Sequence, residues 1–197
     1  MGIRNSGDRF GALAMVFHWT TVVLIVCAWS LGQGMDILPK GAARDAGVLV
    51  HISLGLAVLL VVVARFAWRM ADPQPDPIPS RFGRLSEILA TLVHYALYAL
   101  LVATPIAGLT YWFAKGNALP VLGLIDIPSP LGSDPAFAKT VIGVHATLAN
   151  AIVILAGFHA AAALVHHYIL RDKTLTRMLP HQKSVAGKPG APIKRPA

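Results

Sequence analysis

The stretch IGVHATLANAIVILAGFHAAAALVHH, residues 142–167, decides the fold. It holds no Asp, Glu, Lys or Arg and exceeds the ~20 apolar residues a helix needs to cross a bilayer core. His145 and His159 lie fourteen residues apart within it. On a helix that spacing spans roughly 21 Å and returns to within about 40° of the same face. Ionisable side chains are costly in lipid and mark function there by default. One helix thus presents two imidazoles on one side, at two membrane depths.

Working outward, the same charge-free pattern recurs. No charged residue falls between Arg9 and Asp36, between Asp45 and Arg65, or between Glu87 and Lys115. The chain predicts four transmembrane helices, near 13–35, 48–68, 88–112 and 142–167. Hydrophobic residues make up 55% of the 197 residues and charged residues 13%, against roughly 25% charged in soluble domains. A cleaved leader is the competing reading of the first span. That span is longer than the 7–15-residue apolar region of such leaders, and no clean small-residue cleavage pattern follows it.

Basic residues set the expected orientation. With the N-terminus inside, thirteen Lys and Arg fall on the cytoplasmic side, and only Lys40, Arg44, Lys115 and Lys139 fall outside, a strong positive-inside bias. Both termini are expected in the cytoplasm. The net charge of +8 follows from this topology and from the tail, and no soluble basic domain is left to bind nucleic acid. Cys27 is the only cysteine, which excludes a disulfide framework and covalent haem attachment through Cys-x-x-Cys-His. Any haem would be of the b type, held by ligands and packing alone.

Between the spans, residues 71–81 (ADPQPDPIPSR) read as a semi-rigid proline-rich connection. The loop 114–139 is long for so small a bundle, as functional loops often are, and could cover an outer haem or shape access to it. Pro105 falls inside the third span, where its freed carbonyl needs an internal partner. Residues 1–180 are expected to form one domain, and 181–197 a disordered basic tail. No internal repeat is visible.

Depth sorts the histidines. His18 lies about two turns into the first helix, on the inner side, while His51 opens the second helix on the outer side. The fourth helix places His145 at the outer depth and His159 at the inner one. His51 with His145, and His18 with His159, then suit two stacked bis-histidine haems whose irons lie roughly 20 Å apart. Such ligand sets favour electron transfer over oxygen binding. The plainer reading, interhelical hydrogen bonding, contributes only ~0.6–2 kcal/mol per contact and does not account for four histidines matched in depth. A zinc or metal-transport site is weakened by the absence of Asp or Glu at these depths. At the inner level His94 and His166 both compete with His159 on geometry alone. His166 and His167 also read as an interfacial pair, and His94 as a buried hydrogen-bond partner or haem-propionate contact.

The residues then resemble a known family. Phe17-His18-Trp19, His51-Ile-Ser-Leu-Gly55, Leu92-Val-His94-Tyr-Ala-Leu-Tyr98, Pro105 to Gly108 and His145-Ala-Thr-Leu-Ala-Asn150 are similar to the bacterial cytochrome b561 family. The most specific match is His159-Ala-Ala-Ala-Ala-Leu-Val-His-His-Tyr168, followed by Arg171-Asp-Lys-Thr-Leu-Thr-Arg-Met-Leu-Pro180. The resemblance implies an all-α membrane protein of the bacterial inner membrane, a four-transmembrane-helix bundle enclosing two b-type haems. It implies His18, His51, His145 and His159 as axial ligands to the haem iron. It further implies oxidation of periplasmic superoxide and reduction of ubiquinone, or, in related subunits, electron transfer between a dehydrogenase or hydrogenase partner and the quinone pool. The compact chain favours the stand-alone enzyme, a superoxide:ubiquinone oxidoreductase. A transporter without haem ranks third.

On that reading Lys40, Arg44, Lys115 and Lys139 are the superoxide-side candidates, since local positive charge can raise encounter rates by ~10–10³. Asp36, Asp45, Asp126 and Asp134 leave the outer face near neutral, so the alternative is that these are ordinary solvated loop charges. His94, His166 and Tyr168 are the quinone-side candidates, because quinone reduction takes up protons and histidine titrates in the useful range.

Overall fold

A computed structural model describes residues 2–78 and 83–180. Four long helices carry the fold: α1 (Ala12–Gly34), α2 (Ala42–Ala71), α3 (Arg84–Ala114) and α4 (Pro135–Tyr168). All four are long and apolar enough to cross a membrane. They overlap the four spans read from the sequence, and α2, α3 and α4 run past theirs at both ends. Arg81 and the tail 181–197, expected to be disordered, lie outside the described residues.

Helix α4 begins at Pro135, inside the segment read as loop. Asp134 is the reason: its side chain accepts a hydrogen bond from Phe137 N at 3.0 Å, and Pro135 sits at the first helical position. Such a cap satisfies an orphan amide, and proline there forfeits no bond. The rest of that loop holds a hairpin of β1 (Leu119–Val121) and β2 (Ile125–Ile127), antiparallel, with Pro120 opposite Asp126. Helix α3 runs through Pro105 without ending.

The packing is uneven. Helix α1 packs mainly on α2, and α3 mainly on α4, while α1 and α4 touch little. Two helical hairpins therefore face each other across a partly open middle. The buried cluster at the centre is apolar: Val58 and Val62 from α2, Leu101 from α3 and Ile152 from α4. Ile152 lies seven residues from both His145 and His159, so this layer separates the two histidine levels. Outward-facing residues are apolar as well: Leu60 is 72% exposed and Phe158 70%, as expected of a bundle solvated by lipid tails rather than water.

A cap closes the end that carries both terminal segments. Residues preceding α1 fold back so that Gly2 O accepts from Ala12 N at 3.0 Å, supplying a partner that the helix start lacks. Asn5 N donates to Asp72 Oδ2 at 2.8 Å. Arg9 Nη2 donates to Leu179 O at 2.8 Å, and Trp19 Nε1 to Met178 O at 2.9 Å. Arg177 Nη1 reaches Asp76 O at 2.7 Å. The segment after α4 is thus fastened to the start of the chain and to the α2–α3 connection.

Candidate haem-binding site

At the level near the start of α2, His51 and His145 face each other with ring centroids 6.0 Å apart and planes at 82°. Each ring is oriented by a neighbouring helix. His51 Nδ1 lies 3.0 Å from Ala28 O of α1, and His145 Nδ1 lies 2.9 Å from Thr104 O of α3. A carbonyl oxygen only accepts, so both Nδ1 atoms carry the proton and both Nε2 lone pairs are free. That is the tautomer a metal-ligating imidazole needs, held by the outer partner such ligands usually have.

Small residues make the approach possible. A Cβ on Gly108 would lie 3.0 Å from His145 Cε1, and one on Gly32 would lie 3.1 Å from His51 Cε1. Either side chain would crowd an imidazole, which would have to give by a few tenths of an ångström. The two rings open on a cavity of about 640 Å³, lined also by Trp29, Gln33, Thr104 and Lys115. The volume falls within the roughly 300–1,000 Å³ of sites for cofactors and similar ligands. Trp29 Nε1 and Gln33 Nε2 both donate to Asn150 Oδ1, at 3.0 and 3.2 Å. The α1–α4 seam thus carries a polar clasp that the sequence reading missed. Asn150 was visible as a polar residue inside a span, and that is the signal for it.

The second level is more crowded. His18 and His159 have ring centroids 6.4 Å apart, whereas His94 and His159 are 5.1 Å apart. Two metal–imidazole bonds of about 2 Å on opposite sides of one ion, together with the ring radii, require roughly 6–6.5 Å between centroids. The His51–His145 and His18–His159 spacings meet that requirement, and the His94–His159 spacing is too short. His94 Nδ1 lies 2.6 Å from Ala90 O of its own helix. His18 Nδ1 instead lies 3.4 Å from Arg65 Nη2. A guanidinium only donates, so this contact favours the proton on His18 Nε2, and coordination there requires Arg65 to find another acceptor. Among the described residues no group of three or more His, Cys, Asp or Glu could hold a metal ion by itself. Paired imidazoles around a spacious cavity fit a haem, whose porphyrin supplies the remaining ligands, better than a closed zinc site.

The remaining candidates separate. Lys115 lines the larger cavity, with Nζ 5.6 Å from the Tyr111 ring centroid and 5.9 Å from that of Trp112. Arg44 is turned onto Asp36 Oδ1 at 3.7 Å and onto the carbonyl of Leu38. Lys40 and Lys139 are exposed and line neither cavity. Of the loop 114–139, Lys115 lines the larger cavity, and the hairpin strand β1 packs on α2 and α3. His166 Nδ1 pairs with Asp172 Oδ2 at 2.6 Å just beyond α4. Burial raises the Asp172 pKa, but hydrogen bonds from Thr174 and His166 outweigh it and hold the carboxyl below the ordinary range. Tyr168 is 70% exposed and stacks edge-on with His167.

Comparison with known proteins identifies relatives along nearly the whole described chain. The family model for prokaryotic cytochrome b561 matches residues 9–181. Cytochrome b561 homolog 2 of Escherichia coli K12 is 34% identical over 189 residues, covering 95% of this chain and all of that protein. The probable superoxide oxidase CybB of Yersinia pestis is 31% identical over 175 residues, covering 89% of this chain and 98% of that protein. Cytochrome b562 of Cereibacter sphaeroides is 28% identical, over 85% and 92% of the two chains. Matched along nearly its whole described length, this four-helix membrane electron carrier belongs to the prokaryotic cytochrome b561 family.

Proposed function

We propose that the chain binds two haem b groups, one through His51 and His145 and one through His18 and His159, and that it carries electrons from periplasmic superoxide to ubiquinone. The observation that carries this reading is the pair of imidazole couples, 6.0 and 6.4 Å across, at two levels of one bundle. The superoxide step draws its support from the relative named as a probable superoxide oxidase. In this reading residues 1–180 form the membrane unit and 181–197 a basic tail. Both termini face the cytoplasm, and the His51–His145 level is the outer one.

Each bound haem supplies a one-electron carrier. Two superoxide anions give up one electron each and become dioxygen, and the two electrons with two protons convert one ubiquinone to ubiquinol. The four histidines would hold the iron, His51 and His145 through the Nε2 atoms left free while the Ala28 and Thr104 carbonyls fix their rings. Lys115, beside the larger cavity, offers a positive charge to a small anion approaching that level. On the opposite side, His166 and Asp172 form a dyad from which a reduced quinone can draw protons, with His94 and the exposed Tyr168 as further contacts.

The test is rapid mixing of the purified protein with superoxide while haem absorption is followed. Dismutase-sensitive reduction of a b-type spectrum is the expected result. A b-type spectrum that stays oxidised refutes the superoxide step and assigns the chain to electron transfer between a dehydrogenase-type partner and quinone.

A further inference from the structure

At the capped end of the bundle a second, small cleft of about 70 Å³ is lined by Arg65, Trp68, Arg69, Gln74, His94 and Tyr98, among others. Its polar lining is rich in donors and poor in acceptors. Arg65 lies inside α2, six residues from its end, where an unpaired charge is costly. No Asp or Glu lines the cleft. Asp72 is occupied by Asn5, and Asp172 by His166. Arg65 has instead Tyr98, whose ring centroid lies 5.3 Å away and whose side chain is hydrogen-bonded to it, and the long contact to His18. Trp68 Nε1 is buried with no hydrogen-bond partner among the described residues, and an orphaned donor of this kind costs about 1–3 kcal/mol.

We propose that Arg65, Arg69 and the Trp68 indole N–H bind a carboxylate, and that this carboxylate is a propionate of the haem held by His18 and His159. The assignment rests on the inner haem of the functional reading above. Size agrees with it: a water takes about 30 Å³, so a cleft of about 70 Å³ has room for a carboxylate arm. Position supports it too, since the cleft includes His94, which lies 5.1 Å from the His159 ring, and Arg65 already touches His18. An anion in the cleft also gives Arg65 a charged acceptor, which the Tyr98 hydroxyl is not. With the guanidinium drawn away, the His18 proton is free to sit on Nδ1, which leaves Nε2 to the iron. A lipid phosphate shares the oxyanion chemistry, but Phe10, Gln74 and Met178 line the cleft and belong to the capping segments.

The full chain, purified in non-ionic detergent, is compared with Arg65→Gln, Arg65→Lys and Trp68→Phe. Haem content, the rate of haem transfer to excess apomyoglobin and both midpoint potentials are measured. Arg65→Gln is expected to release one of its two haems about tenfold faster and to lower one midpoint by about 59 mV, a tenfold change at one electron. Trp68→Phe and Arg65→Lys shift the same haem less. Wild-type protein reconstituted with haem dimethyl ester, which has no free carboxylate, releases that haem about as fast as Arg65→Gln does, while its midpoint rises, because a negative rather than a positive charge has been removed. Equal retention of esterified and free-acid haem by the wild type overturns the assignment. So does a midpoint shift that appears only when phosphatidylglycerol is supplied, which would make the anion a lipid phosphate. A wild-type protein that binds no haem overturns the functional reading itself, and this assignment with it.

Discussion

Gly108 and His145 meet across the α3–α4 interface so closely that a Cβ at position 108 would stand 3.0 Å from Cε1 and 3.1 Å from Nδ1 of the imidazole. The His145 Nδ1–H bond to Thr104 O is made one turn away on the same helix. Gly108→Ala should therefore tilt the ring and break that bond together. The expected result is loss or high-spin conversion of one haem of two, read by pyridine haemochrome content and EPR. Gly32→Ala, facing a single atom at 3.1 Å, should do the same more mildly. Unchanged low-spin signals in both variants would refute the cradle.

The two couples are separable by mutation. His51→Ala or His145→Ala should leave one haem per chain, and His18→Ala or His159→Ala should remove the other. His94→Ala should keep both, because its ring sits only 5.1 Å from His159 and leaves no room for an ion between them. Loss of a haem in His94→Ala would transfer the inner ligand from His18 to His94.

Of the four outer cations only Lys115 lines the cavity. Lys115→Gln should slow superoxide-driven reduction by up to about tenfold and flatten its salt dependence. Lys139→Gln, exposed and away from the cavity, should change neither. Equal effects of the two substitutions would mean that general surface charge, not a local site, steers the anion.

The Asp172–His166 contact has a defined pH sign. The folded-state pKa of Asp172 lies below its ordinary 3.8, so the stability it lends is present above that value and is lost as pH falls through the folded pKa. Thermal unfolding of the wild type should hold level from pH 5 to 7 with respect to this group and drop below about pH 4. Asp172→Asn should show a smaller acid-side drop. An identical acid limb in both proteins would show that the contact contributes nothing.

The spans and the histidine depths were legible because charge-free runs and ligand spacing are one-dimensional patterns. His145 and His159 share a face by helical arithmetic alone, and α4 as observed carries both toward the gap between hairpins. Where His94 sits was not legible: it falls at a depth similar to His18 and competed with His159 on geometry, and its ring lies 5.1 Å from that of His159. The early start of α4 was missed because Asp134-Pro135 reads as loop until the cap to Phe137 N is seen. Arg65 counted only among the cytoplasmic-side basic residues and Trp68 was not singled out, since an unpartnered buried indole N–H is a three-dimensional property. Asn150 sat in plain view, yet its bonds to Trp29 and Gln33 depend on how α1 and α4 meet.

The layer of Val58, Val62, Leu101 and Ile152 between the histidine levels has an electrical consequence. Its four side chains offer no atom that can pass a proton, whereas an electron can tunnel through hydrocarbon. In the proposed orientation each electron moves inward without a companion charge, so turnover works against a negative interior at about 2.3 kcal/mol per elementary charge and 100 mV for a full crossing. The bundle then acts as a one-way-loaded capacitor plate: an energised membrane restrains its flux, and an uncoupler releases it.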